Sequence, residues 1–146
     1  MNFHLSPDLQ ALQLKVRKFV TEELIPLEAE TEMNEGRLSP EVRARLMRQV
    51  RELGLNAMAL PPRVGGRGFS WVAQTAVNEE AGKATNALGW IIFDPALALA
   101  AATPEQIEKY VRPACEGTLQ DCYAITEAGA GSDASKMATT AMMAGF

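Results

Sequence analysis

The 146-residue sequence fits one domain of ordinary size, long enough to bury a core without disulfides or metals to hold it. With 47% hydrophobic and 22% charged residues it falls among globular chains and outside disordered or collagen-like ones. Its net charge of -4 is spread over interleaved acids and bases, which excludes a footprint for nucleic acid.

Three times a hydroxyl residue precedes proline and an acid: Ser6-Pro7-Asp8, Ser39-Pro40-Glu41 and Thr103-Pro104-Glu105. Each reads as a helix start. The hydroxyl accepts free backbone N–H groups, proline at the first helical position has no N–H to leave unpaired, and the acid complements the positive end of the dipole. From the first start, Leu9, Leu12, Val16, Phe19 and Val20 recur at helical spacing, an apolar stripe running towards Pro26. From the second, Val42, Leu46, Val50 and Leu53 do the same until Gly54 supplies a C-terminal stop. Pro61-Pro62 and Gly65-Gly66-Arg67-Gly68 mark a long loop over 55–69, and Ser70 opens a third helix towards Gly82. A fourth helix is predicted from about Asn86 to Ala101, where Ala and Leu are dense enough to place it centrally. A fifth runs from Thr103, whose pairing with Gln106 is a capping-box pattern, to about Ala114. From Leu119 to Ile125 the side chains favour extended structure, and the glycines beyond them end any helix. The predicted fold is all-α, a helical bundle of about five helices ending in a short extended segment and a Gly-rich loop.

The chain does not open with a basic start and an apolar run, so no cleaved secretory signal is expected and the location reads as cytoplasmic. Ala84 to Ala102 is interrupted by Asn86, Asp94 and Pro95, and reads as a buried core helix rather than a membrane span. Cys115, Cys122 and the single histidine, His4, make neither zinc spacing nor a CxxC pair. No metal site is expected, and both thiols read as structural.

The sharpest signature is Tyr123-Ala124-Ile125-Thr126-Glu127-Ala128-Gly129-Ala130-Gly131-Ser132-Asp133. Glycines at 129 and 131 let backbone N–H groups approach an anionic or carbonyl-bearing ligand, and Thr126, Ser132 and Asp133 offer side-chain hydrogen bonds around them. The same composition also suits a plain turn after a strand. A dinucleotide fingerprint fails for want of a third glycine opening a helix, and a P-loop for want of Gly-Lys-Ser/Thr. A serine hydrolase fails for want of a Gly-x-Ser-x-Gly elbow.

Thr126 to Asp133 is similar to the acyl-CoA dehydrogenase signature Thr-Glu-Pro-Gly-Ala-Gly-Ser-Asp, differing only at Ala128. Leu53-Gly54-Leu55, Leu60-Pro61 with Gly65-Gly66 and Gly68, Glu79-Glu80, and Gln106 with Tyr110 stand in that family's order, so the resemblance covers the whole chain. Ala102 stands where a glycine is common, and Lys136 where a small residue usually closes the signature. Both departures bear on pocket detail rather than on the family.

The resemblance implies an enzyme that holds FAD between an N-terminal helical domain, a middle β-domain and a C-terminal four-helix bundle. Residues 1–118 would match the helical domain and 119–146 the start of the middle one. Tyr123, Ile125 and Thr126 would bind the cofactor, with backbone groups and the Thr126 hydroxyl meeting the pyrimidine edge of the flavin. Ser132 would face the CoA part of the substrate. Gly89 and Phe93, with Trp90, would line the acyl cavity, and core packing is an equal reading for Trp90 and Phe93.

The implied reaction is α,β-dehydrogenation of an acyl-CoA thioester, in which a carboxylate takes the α-proton and the β-hydrogen leaves as hydride to the flavin. In this family that base belongs to the C-terminal bundle, so no catalytic residue is expected in this chain, and Glu127 reads as a structural loop residue. An electron-transferring flavoprotein is the implied acceptor, and exposed apolar faces imply a homo-oligomer. The sequence is expected to stop within this architecture, to bind FAD weakly or not at all by itself, and to show no turnover. Two other readings stay open. One is a helical protein-binding module whose glycine loop is only a connector, and the other is a non-catalytic subunit beside a separate chain.

Overall fold

The computed structural model describes residues 4–142. Helix α1 (Pro7–Phe19) starts where the sequence places it, with the Ser6 hydroxyl accepting the Leu9 N–H at 3.4 Å. It does not end at Pro26. A π turn at Val20–Leu24 and a 3₁₀ turn at Ile25–Leu27 carry it into α2 (Glu28–Met33). Ser39 and Ser70 open α3 (Pro40–Glu52) and α4 (Trp71–Ala81) as Ser6 opens α1.

The last helical stretch repeats the device of the first. α5 (Pro104–Gln106), with its Thr103–Gln106 capping box, leads through a π turn at Ile107–Val111 into α6 (Arg112–Cys115). In both places the residue before a proline donates its N–H to the carbonyl five positions back, Ile25 to Val20 and Arg112 to Ile107. A proline ring collides with the carbonyl four positions back, and widening the turn by one residue relieves that collision without ending the helix. Gly54 stops α3 in left-handed backbone (φ 71°), which lets the Leu55 N–H reach the Val50 carbonyl at 2.9 Å.

The helix predicted over 86–101 does not form. Two short 3₁₀ turns, Leu88–Ile91 and Leu97–Ala101, flank a non-helical stretch at 92–96. Asn86 and Ala87 both take left-handed backbone, φ 53° and 57°, through which no right-handed helix continues. Pro95 then removes a donor and disfavours helical backbone at Asp94. The central placement holds only in part, since Leu88, Ile91 and Ile92 are buried while Trp90 is 83% exposed. Residues 119–126 run without helix, as expected, yet pair with no strand. Among the described residues the isolated bridge is Glu127 with Ala130.

Among the described residues the regular elements are all helical, and the bridge at Glu127 stands outside them. The main core joins Val16, Phe19, Val20 and Leu24 to Leu46 and Val50 of α3, Val77 and Ala81 of α4, and Leu88, Ile91 and Ile92 beyond it. Each large aliphatic side chain buried there contributes about 2 kcal/mol by removal from water, which makes this cluster the main stabilising element. A smaller cluster sets Ala57, Leu60 and Val64 against Val111 and Cys115. Between α1 and α4 lies a charged contact: Glu80 is wholly buried and receives Arg17 Nε and Nη2 at 3.1 and 2.8 Å and Lys83 Nζ at 2.6 Å. The Arg17 hydrogen bonds above all hold this carboxyl at about 2, against the opposing effect of burial. Among the described residues no helix is long and apolar enough to cross a membrane.

Candidate functional site

An open groove of about 1230 Å³ runs between α3, the end of α4, the segment 87–98 and residues 117–123. Gly89 belongs to its wall because a residue without a side chain lets the Leu88–Ile91 turn press on α4. A Cβ there would stand 2.4 Å from the Ala81 carbonyl oxygen. Phe93 is half-buried on the main core, its carbonyl accepts the Ala57 N–H at 2.9 Å, and its ring lies 2.8 Å from where a Cβ of Gly117 would be. It is therefore core and groove wall together. Trp90, by contrast, is mostly solvent-exposed and lines the groove alone.

Tyr123, 84% exposed, stands at the edge of the same groove. Half-buried Ile125 and exposed Thr126 continue the extended segment past the groove lining, and Ser132 is exposed in the loop beyond. The structure thus brings Gly89, Phe93 and Tyr123 to one surface and leaves Ile125, Thr126 and Ser132 off it. Among the described residues the backbone of 122–126 makes no hydrogen bond, so a row of donors and acceptors is free to meet a polar edge. Gly129 and Gly131 have open space where a Cβ would stand.

Glu127 is engaged within its own loop. Its carboxylate accepts the N–H groups of Ala138 and Thr139, both at 2.9 Å, and its backbone exchanges two bonds with Ala130 at 3.0 and 3.1 Å. Hydrogen bonds from Thr139, side chain foremost, and from Ala138 keep its carboxyl below the usual range. A carboxylate so occupied clamps the loop and is poorly placed to accept a proton from a ligand.

Two groove residues escape sequence reasoning. Asp94 Oδ1 accepts the Ala59 N–H at 3.0 Å, and Asp121 Oδ2 accepts the Ala96 N–H at 2.7 Å. Burial pushes the Asp94 carboxyl up, with the N–H groups of Ala59 and Met58 acting against it. Asp94 precedes a proline and so announces only a bend, while Asp121 sits in no pattern at all. Cys115 is buried and its thiol is pushed up by burial, whereas Cys122 is exposed on the groove. Among the described residues no group of three or more His, Cys, Asp or Glu could hold a metal ion.

Comparison with known proteins agrees with the sequence signature. Residues 6–118 match the family described as acyl-CoA dehydrogenase, N-terminal domain. The chain is 34% identical to (R)-benzylsuccinyl-CoA dehydrogenase of Thauera aromatica, over 97% of this chain and 39% of that protein. It is 33% identical to the mitochondrial short-chain specific acyl-CoA dehydrogenase of Sus scrofa, over 90% of this chain and 32% of that protein. A chain solved in work on the electron transferring flavoprotein of Acidaminococcus fermentans and flavin-based electron bifurcation superposes with a TM-score of 0.72 at 25% identity, covering 99% of this chain and 38% of that one. The present chain spans less than two fifths of each of these proteins. From its capped helices, its Thr126 to Asp133 signature and these matches, the chain belongs to the acyl-CoA dehydrogenase family, by way of that family's N-terminal domain.

Proposed function

We propose that this chain forms the helical wall of an FAD and acyl-CoA site in an enzyme that α,β-dehydrogenates an acyl-CoA thioester. The observation that carries this reading is one of continuity. Gly89 and Phe93 lie on a largely apolar wall, Tyr123 marks its edge, and the unpaired backbone of 122–126 leads away from it. A row of free N–H and C=O groups has the chemistry to meet the pyrimidine edge of a flavin, and the exposed Thr126 hydroxyl adds a further donor. Bound FAD supplies the hydride acceptor.

The chain's own residues bind and orient. Tyr123, Ile125 and Thr126 hold the cofactor edge, Gly89, Trp90 and Phe93 keep water from an acyl tail, and Ser132 hydrogen-bonds the CoA portion. Asp94, Asp121 and Glu127 all accept backbone N–H groups, so none of them is assigned as the base that takes the α-proton. Residues 1–118 make the helical domain, and 119–146 begin the part that contacts flavin. The dehydrogenase relatives support the reaction class, and the structural neighbour supports an electron-transferring flavoprotein as acceptor. Leu14, Trp71 and Val72, all exposed, favour a homo-oligomer.

Titration of FAD against the purified chain, monitored by flavin fluorescence, tests this reading. Trp90 and Tyr123 stand open to solvent, so this one-sided wall is expected to bind FAD weakly and to turn over no acyl-CoA by itself. Weak, saturable quenching that disappears in Thr126→Pro, which removes a backbone donor, is the expected result. Saturable quenching that persists unchanged in Thr126→Pro sinks the assignment of this backbone edge to the flavin.

A further inference from the structure

The groove contains two carboxylates that the proposed chemistry leaves unused, and both act on backbone. Asp94 accepts from Ala59, and two residues further on Ala96 gives its own N–H to Asp121. The bonds bracket Pro95 and join three stretches distant in sequence, around 59, 95 and 121, into one wall. Their weight is unequal. Among the described residues, the Asp121–Ala96 bond of 2.7 Å is the sole hydrogen bond between the segment beginning at Gln120 and the helical body before it. Among the described residues every other hydrogen bond after Leu119 stays within the loop from Glu127 to Thr139.

An extended segment that pairs with no strand has little to define its position. A carboxylate accepting an N–H makes a stronger bond than a neutral acceptor. Asp121 lies two residues before Tyr123, close enough that fixing the one restricts the other. We propose that Asp121 is a positioning residue, a latch that holds the 122–126 backbone at a set place beside the Ala96 wall. Its functional meaning rests on the flavin reading, because the backbone it positions is the edge assigned to the cofactor. A plainer role, capping the Leu97–Ala101 turn through its first residue's neighbour Ala96, would steady that turn and leave 122–126 as it was.

Backbone ¹⁵N relaxation on the full 146-residue chain separates the two, using the unsubstituted protein, Asp121→Ala and Asp121→Asn. In the unsubstituted chain the amides of 122–125 are expected to be nearly as ordered as those of α4. Asp121→Ala is expected to release them while Leu46 and Val77 keep their order, and Asp121→Asn, which retains an acceptor, is expected to restore most of it. In an FAD titration of the same three proteins, affinity is expected to fall about tenfold in Asp121→Ala and to recover in Asp121→Asn. Equal order at 122–125 in all three proteins overturns the latch, as does disorder there in the unsubstituted chain. Order that responds as expected while FAD binds all three proteins equally upholds the latch and rejects the assignment of this edge to the flavin.

Discussion

Glu80→Gln probes the charged contact between α1 and α4 with little change of shape. The native carboxylate is 0% exposed and accepts from Arg17 Nε and Nη2 at 3.1 and 2.8 Å and from Lys83 Nζ at 2.6 Å. Its carboxyl is held at about 2 where 4.5 is ordinary. A difference of that size corresponds to about 3 kcal/mol. Arg17 and Lys83 are 49% and 48% exposed, so water screens part of the attraction, and about 2 kcal/mol is expected to be lost in the variant at pH 7. For a chain of this size that lowers Tm by roughly 6 °C. Because the folded-state pKa is depressed, the contribution is complete above the unfolded value of 4.5, shrinks as pH falls, and is gone below about 2. Urea unfolding monitored by circular dichroism should show a gap between the two proteins at pH 7 that narrows towards about pH 2.5. Equal stability at pH 7, or a gap that stays constant into acid, would refute this account of the contact.

Gly89→Ala forces a Cβ to within 2.4 Å of the Ala81 carbonyl oxygen and is expected to cost about 1–3 kcal/mol, whereas Gly129→Ala, with open space around it, should be close to neutral in the same thermal melts. Leu46→Ala empties a fully buried site of the main core and is expected to cost about 2–5 kcal/mol, seen as a lower urea midpoint at unchanged slope. Cys122 is exposed and should react promptly with a thiol reagent in the folded protein. Cys115, buried and with its thiol pushed up, should react only on unfolding, and equal rates for the two would contradict the burial described.

The helix starts were legible because each is written locally. Ser6, Ser39, Ser70 and Thr103 all accept the N–H three residues on, as their position before a helical run requires. The apolar stripes were legible for the same reason, with Val16, Leu46 and Val50 buried at the expected faces. The stretch from Asn86 to Ala101 misled because its Ala and Leu content favours helix, while left-handed backbone at Asn86 and Ala87 is set by what surrounds them. Asn86 Nδ2 donates to the Glu28 carbonyl at 3.1 Å, and the Thr85 N–H donates to the Glu28 carboxylate at 2.7 Å. Those partners lie in a distant helix, beyond the reach of local propensity. The rest of the groove wall is illegible for a related reason: Met47, Asp94 and Asp121 share no spacing with Gly89 and Phe93, and only the folded chain brings them to one surface.

The widened turn at Val20–Leu24 sets more than the path of a helix around Pro26. Every residue added to a helix rotates the chain beyond it by about 100°, so this turn fixes the azimuth at which Glu28 leaves the axis. At that azimuth Glu28 accepts the Thr85 N–H, 57 residues further along, next to the left-handed backbone that begins the groove wall. Removing one residue between 20 and 24 would set the Pro26 ring back against the carbonyl four positions before it and swing Glu28 away from its target. The length of the first helix, counted to the residue, is therefore part of the specification of a groove whose lining includes no residue of this helix.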